Sequence, residues 1–225
     1  MIKKHIPNAI TCANLFSGCI GIIYAFNGAL ETAAYFVLLS GLFDFFDGMA
    51  ARLLHVKSAI GKELDSLADM VSFGFLPGVV MYMLLKESDF TSEYLPYLGF
   101  LITIFSALRL AKFNIDTRQT EDFIGLNTPM NTLFVISLPF IGRDYPEVTG
   151  STLLLLGLTA VLSWLLVSEI RIFSLKFSST QWQANKIKYI FLIVSAILAV
   201  ALQFVAVPFI LLLYIASSML HFRKA

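Results

Sequence analysis

Long apolar stretches recur along the whole chain, and each approaches the roughly 20 residues that an α-helix needs to cross a bilayer. The composition agrees, because 58% of the 225 residues are hydrophobic and only 14% are charged, whereas soluble domains are about a quarter charged. Backbone polar groups in lipid must be satisfied internally, so these stretches predict helices. We therefore predict an all-α fold: a polytopic transmembrane helical bundle with no separate soluble domain.

Eight apolar segments mark the expected spans. They cover residues 9–26, 32–51, 63–85, 95–113, 128–141, 151–167, 187–205 and 207–220. The last two are divided only by a turn at 203–208, which predicts a tight hairpin. A six-span core results if that hairpin is re-entrant or peripheral. We expect residues 1–225 to form one integral-membrane domain, in which 1–130 carries the motifs and 131–225 adds membrane helices.

The basic residues predict the orientation of the bundle. Cytoplasmic loops of membrane proteins are rich in Lys and Arg, and this span assignment places 14 of the 16 basic residues on one side. Only Lys86 and Arg143 fall on the other side. The distribution of basic residues therefore predicts an even number of spans, with both termini in the cytoplasm. The stretch 174–185 is predicted to lie at the membrane interface.

Polar residues at fixed spacing interrupt the apolar sequence between the second and third segments. They are Asp44, Asp47, Gly48, Ala51, Arg52, Gly61, Asp65 and Asp69. Spacings of three and four residues put each aspartate pair on one helix face. A short basic turn around His55 would let the two spans pack antiparallel, so that the pairs face each other. The same sequence predicts packing or a kink near Gly74 and Pro77.

Four carboxylates in or beside a bilayer are costly and imply a compensating charge. Two hard, oxygen-seeking ions, Mg²⁺ or Mn²⁺, fit best, since His55 is the only His or Cys nearby. Two such ions can stabilise a displacement at phosphorus. Gly48 and Gly61 would admit a bulky ligand, and Arg52 can bind phosphate. Taken singly, each residue is better explained by helix packing or by solvation at the interface, and only the whole set favours a ligand site.

The eight positions resemble the signature of the CDP-alcohol phosphotransferases. Four flanking stretches, 6–18, 63–78, 107–114 and 123–129, are similar to the serine-using bacterial and archaeal members of that family. The resemblance implies transfer of a phosphatidyl group from CDP-diacylglycerol to L-serine, giving phosphatidylserine and CMP. One departure is Asn127, where related synthases more often have Pro.

The resemblance also implies roles for individual residues. Asp44 and Asp65 would bridge two metal ions, Asp47 would complete one site, and Asp69 would complete the other and accept the proton of the attacking hydroxyl. The expected CDP-diacylglycerol ligands are Asn8, Thr11, Gly48, Ala51, Arg52, Ser58 and Gly61.

The carboxylate of an amino-acid acceptor calls for an Arg. Arg109, with Lys112 and Asn114, lies at a predicted cytoplasmic span end, although positive-inside anchoring explains Arg109 and Lys112 equally well. We expect a homodimer in a prokaryotic cytoplasmic membrane with its active site facing the cytoplasm. The net charge of +1 implies no nucleic-acid partner.

Two alternatives stay open at this point. Carboxylates in membrane helices are also typical of cation-coupled transporters, but the outer halves of these spans contain no acidic residues that would continue such a path. Within the family, the acceptor could instead be glycerol 3-phosphate or an inositol phosphate. A phosphorylated acceptor would need a denser basic cluster than Arg109 and Lys112, to which Arg118 could add.

Overall fold

The computed structural model describes residues 5–56, 58–90, 92–118, 122–175 and 182–223, with the backbone alone described at 182–184. Within these ranges the protein is almost wholly helical, which confirms the predicted all-α class. Half of the predicted interfacial stretch, 176–181, lies outside the described residues. Five of the lysines on the predicted cytoplasmic side also lie outside the described residues: Lys3, Lys4, Lys57, Lys176 and Lys224.

Ten α-helices follow one another in the described parts of the chain. They are α1 (Ile6–Phe26), α2 (Leu30–Leu53), α3 (Ala59–Asp69), α4 (Leu76–Glu87), α5 (Leu101–Ile115), α6 (Thr128–Asp144), α7 (Pro146–Gly150), α8 (Thr152–Val167), α9 (Trp182–Leu202) and α10 (Ala206–Arg223). A π-helical segment, Met70–Phe75, joins α3 to α4, and a 3₁₀ turn, Leu95–Phe100, leads into α5.

Five helical stretches are long and apolar enough to cross a membrane. They are Ile6–Phe26, Leu30–Leu53, Ala59–Glu87, Leu95–Ile115 and Asn185–Arg223. The predicted fifth and sixth segments form α6 and α8, which have 17 and 16 residues. Every predicted apolar segment therefore falls on helix, while the number of crossings and the side of the termini stay predictions.

The C-terminal stretch is a helical hairpin, as its sequence predicts. The chain turns through a 3₁₀ segment, Gln203–Val205, where Gln203 adopts a positive φ of 48°. The rings of Phe191 on α9 and Tyr214 on α10 then lie 5.2 Å apart. The two helices consequently pack against each other, and α10 also packs on α6.

The turn between α2 and α3 has a defined geometry. The amide of His55 donates to the carbonyl of Arg52, and that of Val56 donates to the carbonyl of Ala51 at 3.0 Å. These are the two bonds of a Schellman motif, in which His55 takes the left-handed position with φ 51°. Ser58 then caps α3 by accepting from the amide of Gly61 at 3.3 Å. The turn thus ends one aspartate-bearing helix and starts the next within five residues.

The π segment after Asp69 lies in the region where the sequence predicts packing or a kink. Thr132 Oγ1 donates to the carbonyl of Phe73 at 2.7 Å, and Thr103 Oγ1 donates to that of Gly74 at 3.1 Å. π segments are rare and are found mostly at functional sites. Hydroxyls from α5 and α6 therefore fix the backbone immediately beyond Asp69.

A short loop between α5 and α6 is held against the end of α8 by backbone hydrogen bonds. Its strand β1 (Phe123–Ile124) pairs antiparallel with β2 (Arg171–Ile172), and these four residues form the sheet in the described ranges. Gly125 has φ 78°, and a Cβ there would lie 2.8 Å from the carbonyl oxygen of Leu166. The loop thus needs glycine at this position, and it leads directly into the Asn127 cap of α6.

Candidate active site

Helix α1 is the element around which the site is built. It packs against α2 along most of its length and also against α3 and the π segment. A Cβ at Gly18 would lie 2.4 Å from Ser72 Oγ, and a Cβ at Gly21 would lie 2.6 Å from Leu76. Small residues on α1 therefore allow it to approach both neighbours closely.

The predicted direct packing of the two aspartate-bearing helices needs a correction. In the described residues α2 and α3 make far fewer contacts with each other than either makes with α1. Because α1 separates their backbones, the carboxylates converge across a gap between α2 and α3. That gap leaves room for ions and for a ligand.

Three of the four aspartates form a tight group. Asp44, Asp47 and Asp65 each offer a carboxylate oxygen within 4.8 Å of the others. Asp47 is buried, and its Oδ2 accepts a hydrogen bond of 2.7 Å from Thr11 Oγ1 on α1. Asp44 and Asp65 are half-buried. An all-oxygen set of this kind fits a hard divalent cation such as Mg²⁺ or Mn²⁺.

Asp69 lies one turn beyond Asp65 and outside this tight group. Its Oδ1 accepts a hydrogen bond of 3.3 Å from the side-chain amide of Asn14 on α1. Asp69 also lines a separate cavity of about 190 Å³. The fourth carboxylate therefore lies between the group of three aspartates and a second cavity.

A larger cavity of about 560 Å³ lies against the tight group, with Asp47 and Asp65 in its wall. Ligand pockets are commonly 300–1,000 Å³. Six of the seven predicted CDP-diacylglycerol ligands line it: Asn8, Thr11, Gly48, Ala51, Ser58 and Gly61. The structure thus brings residues from α1, α2 and α3 to one wall.

The predicted donor ligands differ in their surroundings. A Cβ on Gly48 would meet nothing within 4 Å, which agrees with the expected room for a ligand. A Cβ on Gly61 would lie 3.0 Å from Asn8 Oδ1, so that glycine is also required for the approach of α3 to α1. Arg52, the seventh predicted ligand, is exposed and does not line the cavity, whereas Lys62 does.

The three predicted acceptor residues separate in the structure. Arg109 is buried and lines the 190 Å³ cavity with Asp69, Asn127 and Thr128. Its Nε donates to the carbonyl of Leu126 at 3.3 Å, and its guanidinium lies 5.1 Å from the Phe113 ring centroid.

The other two acceptor residues face elsewhere. Lys112 lines a neighbouring cavity of about 320 Å³, which Arg109 also borders. Asn114 Nδ2 donates to Ser66 Oγ at 2.9 Å, which ties α5 to α3. Of the predicted acceptor set, Arg109 alone therefore shares a cavity with Asp69.

Sequence reasoning assigned no role to three residues at the site. Asn14 contacts Asp69, Asn127 and Thr128 line the cavity beside it, and all three lie within the stretches 6–18 and 123–129 that resemble the family. Asn127 also caps α6 by accepting from the amide of Met130 at 2.8 Å. The resemblance of these stretches was the available signal, but only tertiary packing brings them to Asp69.

The fold and the site define a class: an all-helical membrane protein with a carboxylate group that could hold a metal ion beside a cavity of about 560 Å³. The chain belongs to the CDP-alcohol phosphatidyltransferase family, whose model matches residues 4–165.

Named relatives agree with that assignment. The chain is 34% identical over 168 residues to a CDP-diacylglycerol–serine O-phosphatidyltransferase of Helicobacter pylori, covering 73% of this chain and 70% of the relative. It is 35% identical over 172 residues to the Bacillus subtilis protein of the same name, covering 75% and 89%. An archaetidylserine synthase of Methanothermobacter thermautotrophicus is 32% identical over 156 residues, covering 67% and 64%.

Proposed function

We propose that this chain is a phosphatidylserine synthase, which transfers the phosphatidyl group of CDP-diacylglycerol to L-serine and releases CMP. The observation that carries the proposal is the group formed by Asp44, Asp47 and Asp65 beside the 560 Å³ cavity, with Asp69 one turn further along α3 at the edge of the 190 Å³ cavity. The names of the most similar relatives support serine as the acceptor.

The carboxylates would hold two divalent ions, with Asp44 and Asp65 shared between them. Asp47 would complete one site and Asp69 the other. When bound, the ions supply Lewis-acid stabilisation of charge on the pyrophosphate. Thr11 fixes the Asp47 carboxylate by its 2.7 Å hydrogen bond, so this ligand is oriented before an ion arrives.

The 560 Å³ cavity is the proposed site of the cytidine and pyrophosphate. Asn8 and Thr11 would contact the nucleotide, and Gly48, Ala51, Ser58 and Gly61 would leave space for the phosphates. Arg52 is exposed near the same helix end, and a guanidinium can bind a phosphate in two-pronged geometry once the lipid is present.

The 190 Å³ cavity between Asp69 and Arg109 is the proposed serine site. Arg109 would bind the serine carboxylate, which directs the hydroxyl toward Asp69. The serine oxygen attacks the β-phosphorus and forms a P–O bond, while the bond from that phosphorus to the oxygen of CMP breaks. The hydroxyl proton passes to Asp69.

An acceptor panel tests this function. Purified protein with Mn²⁺ and radiolabelled CDP-diacylglycerol is given L-serine, glycerol 3-phosphate, inositol phosphate or no acceptor, and lipid products are separated. We expect phosphatidylserine with L-serine and at least about 10²-fold slower transfer to the others, because a carboxylate-binding site rejects mismatched acceptors. A faster reaction with a phosphorylated acceptor contradicts serine specificity, and a protein that neither binds nor converts CDP-diacylglycerol would favour the transporter.

We further propose a homodimer in the inner membrane of a prokaryote, with the carboxylates facing the cytoplasm. Cysteine labelling tests the orientation, on a background in which the exposed Cys12 and Cys19 are replaced by Ser. We expect a cysteine at Arg118 to react only from the cytoplasmic side and cysteines at Asp89 and Asp144 only from outside, because Lys and Arg partition that way. Labelling of Arg118 and Asp89 positions from the same side contradicts the predicted topology.

On the predicted outer side of the bundle, one of the labelling positions has a structural role. Asp89 Oδ1 accepts from the amide and the hydroxyl of Thr152, at 3.0 and 2.8 Å, at the start of α8. These bonds hold the pKa of Asp89 below its usual range. A cysteine at Asp144 leaves the hydrogen bonds between Asp89 and Thr152 in place. It therefore serves as a second labelling position on the same predicted side.

A further inference from the structure

Asn14 lies on α1 where α1, α2 and the π segment meet, and its side chain is fully buried. Its backbone carbonyl accepts two hydroxyls, from Ser40 on α2 and from Ser72 in the π segment, each at 3.2 Å. These contacts fix the backbone of α1 independently of the Asn14 side chain. The side-chain amide of Asn14 is therefore not needed to hold α1 in place.

The side-chain nitrogen of Asn14 contacts the predicted general base. Its Nδ2 donates to Asp69 Oδ1 at 3.3 Å. An N–H group can donate only to an oxygen that carries no proton on that side. The contact thus reserves Oδ1 as an acceptor and leaves Oδ2 as the oxygen that can take the hydroxyl proton.

The other atom of the amide is not paired. Asn14 Oδ1 is buried and has no hydrogen-bond partner among the described residues. Burying an unpaired acceptor costs stability, and a leucine of similar shape would avoid that cost on a membrane helix. A polar side chain kept at such a position points to a function of its donor nitrogen, which is directed at Asp69.

We propose that Asn14 is a positioning residue, which holds the Asp69 carboxylate in the orientation that accepts the proton of the acceptor hydroxyl. The inference rests on the proposed function, in which Asp69 is the general base. Asn14 touches neither the 560 Å³ cavity nor the acceptor cavity as a lining residue. Its effect should therefore appear in turnover and not in substrate binding.

The test compares Asn14→Leu with Ser40→Ala in the serine reaction. We expect Asn14→Leu to lower kcat about 10²-fold, because misorientation of a reacting group costs about that much. The KM values for CDP-diacylglycerol and serine should stay within about threefold, since neither cavity is altered. The Tm should stay within about 3 °C, since the unpaired oxygen is removed together with the donor. Ser40→Ala removes a hydroxyl bonded to the same residue and should retain wild-type kcat.

Different outcomes test the positioning role of Asn14 and the general-base role of Asp69. Wild-type kcat in Asn14→Leu, or a lower Tm with equal rises in both KM values, overturns the positioning role. Asn14→Ala also removes the donor and adds no charge beside Asp69, so it should show the same loss of kcat and serves if the Leu variant does not fold. Retained kcat in Asp69→Asn would instead overturn the assignment of the base itself.

Discussion

Asp44→Asn and Asp65→Asn should each lower phosphatidylserine formation by about 10³-fold at saturating substrates. Each carboxylate is expected to touch both ions, and losing a shared ligand removes several kcal/mol of charge stabilisation, at about 1.4 kcal/mol per tenfold in rate. Excess EDTA should abolish the wild-type activity, and Mg²⁺ or Mn²⁺ should restore it. The measurement is initial rate against free metal concentration.

Glu63→Gln is the matched control for these variants. Glu63 lies on α3 near Asp65 and is exposed. The Glu63→Gln variant therefore removes one negative charge from the same helix but leaves the carboxylate group unchanged. We expect its rate to stay within about twofold of wild type, as for surface charges in general. Full activity of the wild type in excess EDTA, or an equal loss in Glu63→Gln, would refute the metal site.

Asp69→Asn should lower kcat by about 10³-fold, within the range that general bases contribute. Among the described residues, Asp69 is the one carboxylate that borders the proposed acceptor cavity. We expect the KM for CDP-diacylglycerol to change much less than kcat, because the larger cavity does not include Asp69 and the amide oxygen of an Asn at this position can still serve as a metal ligand. The steady-state rates of wild type and variant, with both substrates varied, give the two constants.

The stereochemistry at phosphorus tests the same assignment independently. A single attack by serine should invert a chiral phosphorothioate substrate, because one in-line displacement reverses the configuration. The described residues of the carboxylate face offer Ser66 and Ser72 as nucleophiles, but each hydroxyl donates to a backbone carbonyl. Net retention, or a stoichiometric burst of CMP without serine, would mean a covalent phosphatidyl-enzyme and would remove Asp69 from its role.

Local sequence was sufficient for the helices, and the family resemblance named six residues that the structure brings to one cavity wall. Apolar length alone places each predicted segment on helix, since lipid leaves the backbone few alternatives to helix. Spacing of three and four residues likewise places Asp44 with Asp47, and Asp65 with Asp69, because helical geometry is regular. The Schellman turn at His55 needs only five residues to reverse the chain.

The acceptor side could not be predicted in the same way. Its cavity combines Asp69 with Arg109 on α5 and Asn127 before α6, and no periodicity relates positions so far apart in sequence. The π segment after Asp69 depends on hydroxyls donated by Thr103 and Thr132 from other helices. The two-residue strands are too short for any alternation to indicate them. Tertiary contacts decide all three features.

The separation of the two cavities has an evolutionary consequence. Residues of α1, α2 and the start of α3 enclose the larger one, whereas α5, α6 and the loop between them supply most of the smaller one. Under the proposed assignment, substitutions around Asn127 should change the choice of alcohol without altering the residues of the larger cavity. A gene duplicated from this one would then need changes on α5 and α6, and none on α1 or α2, to form a different head group.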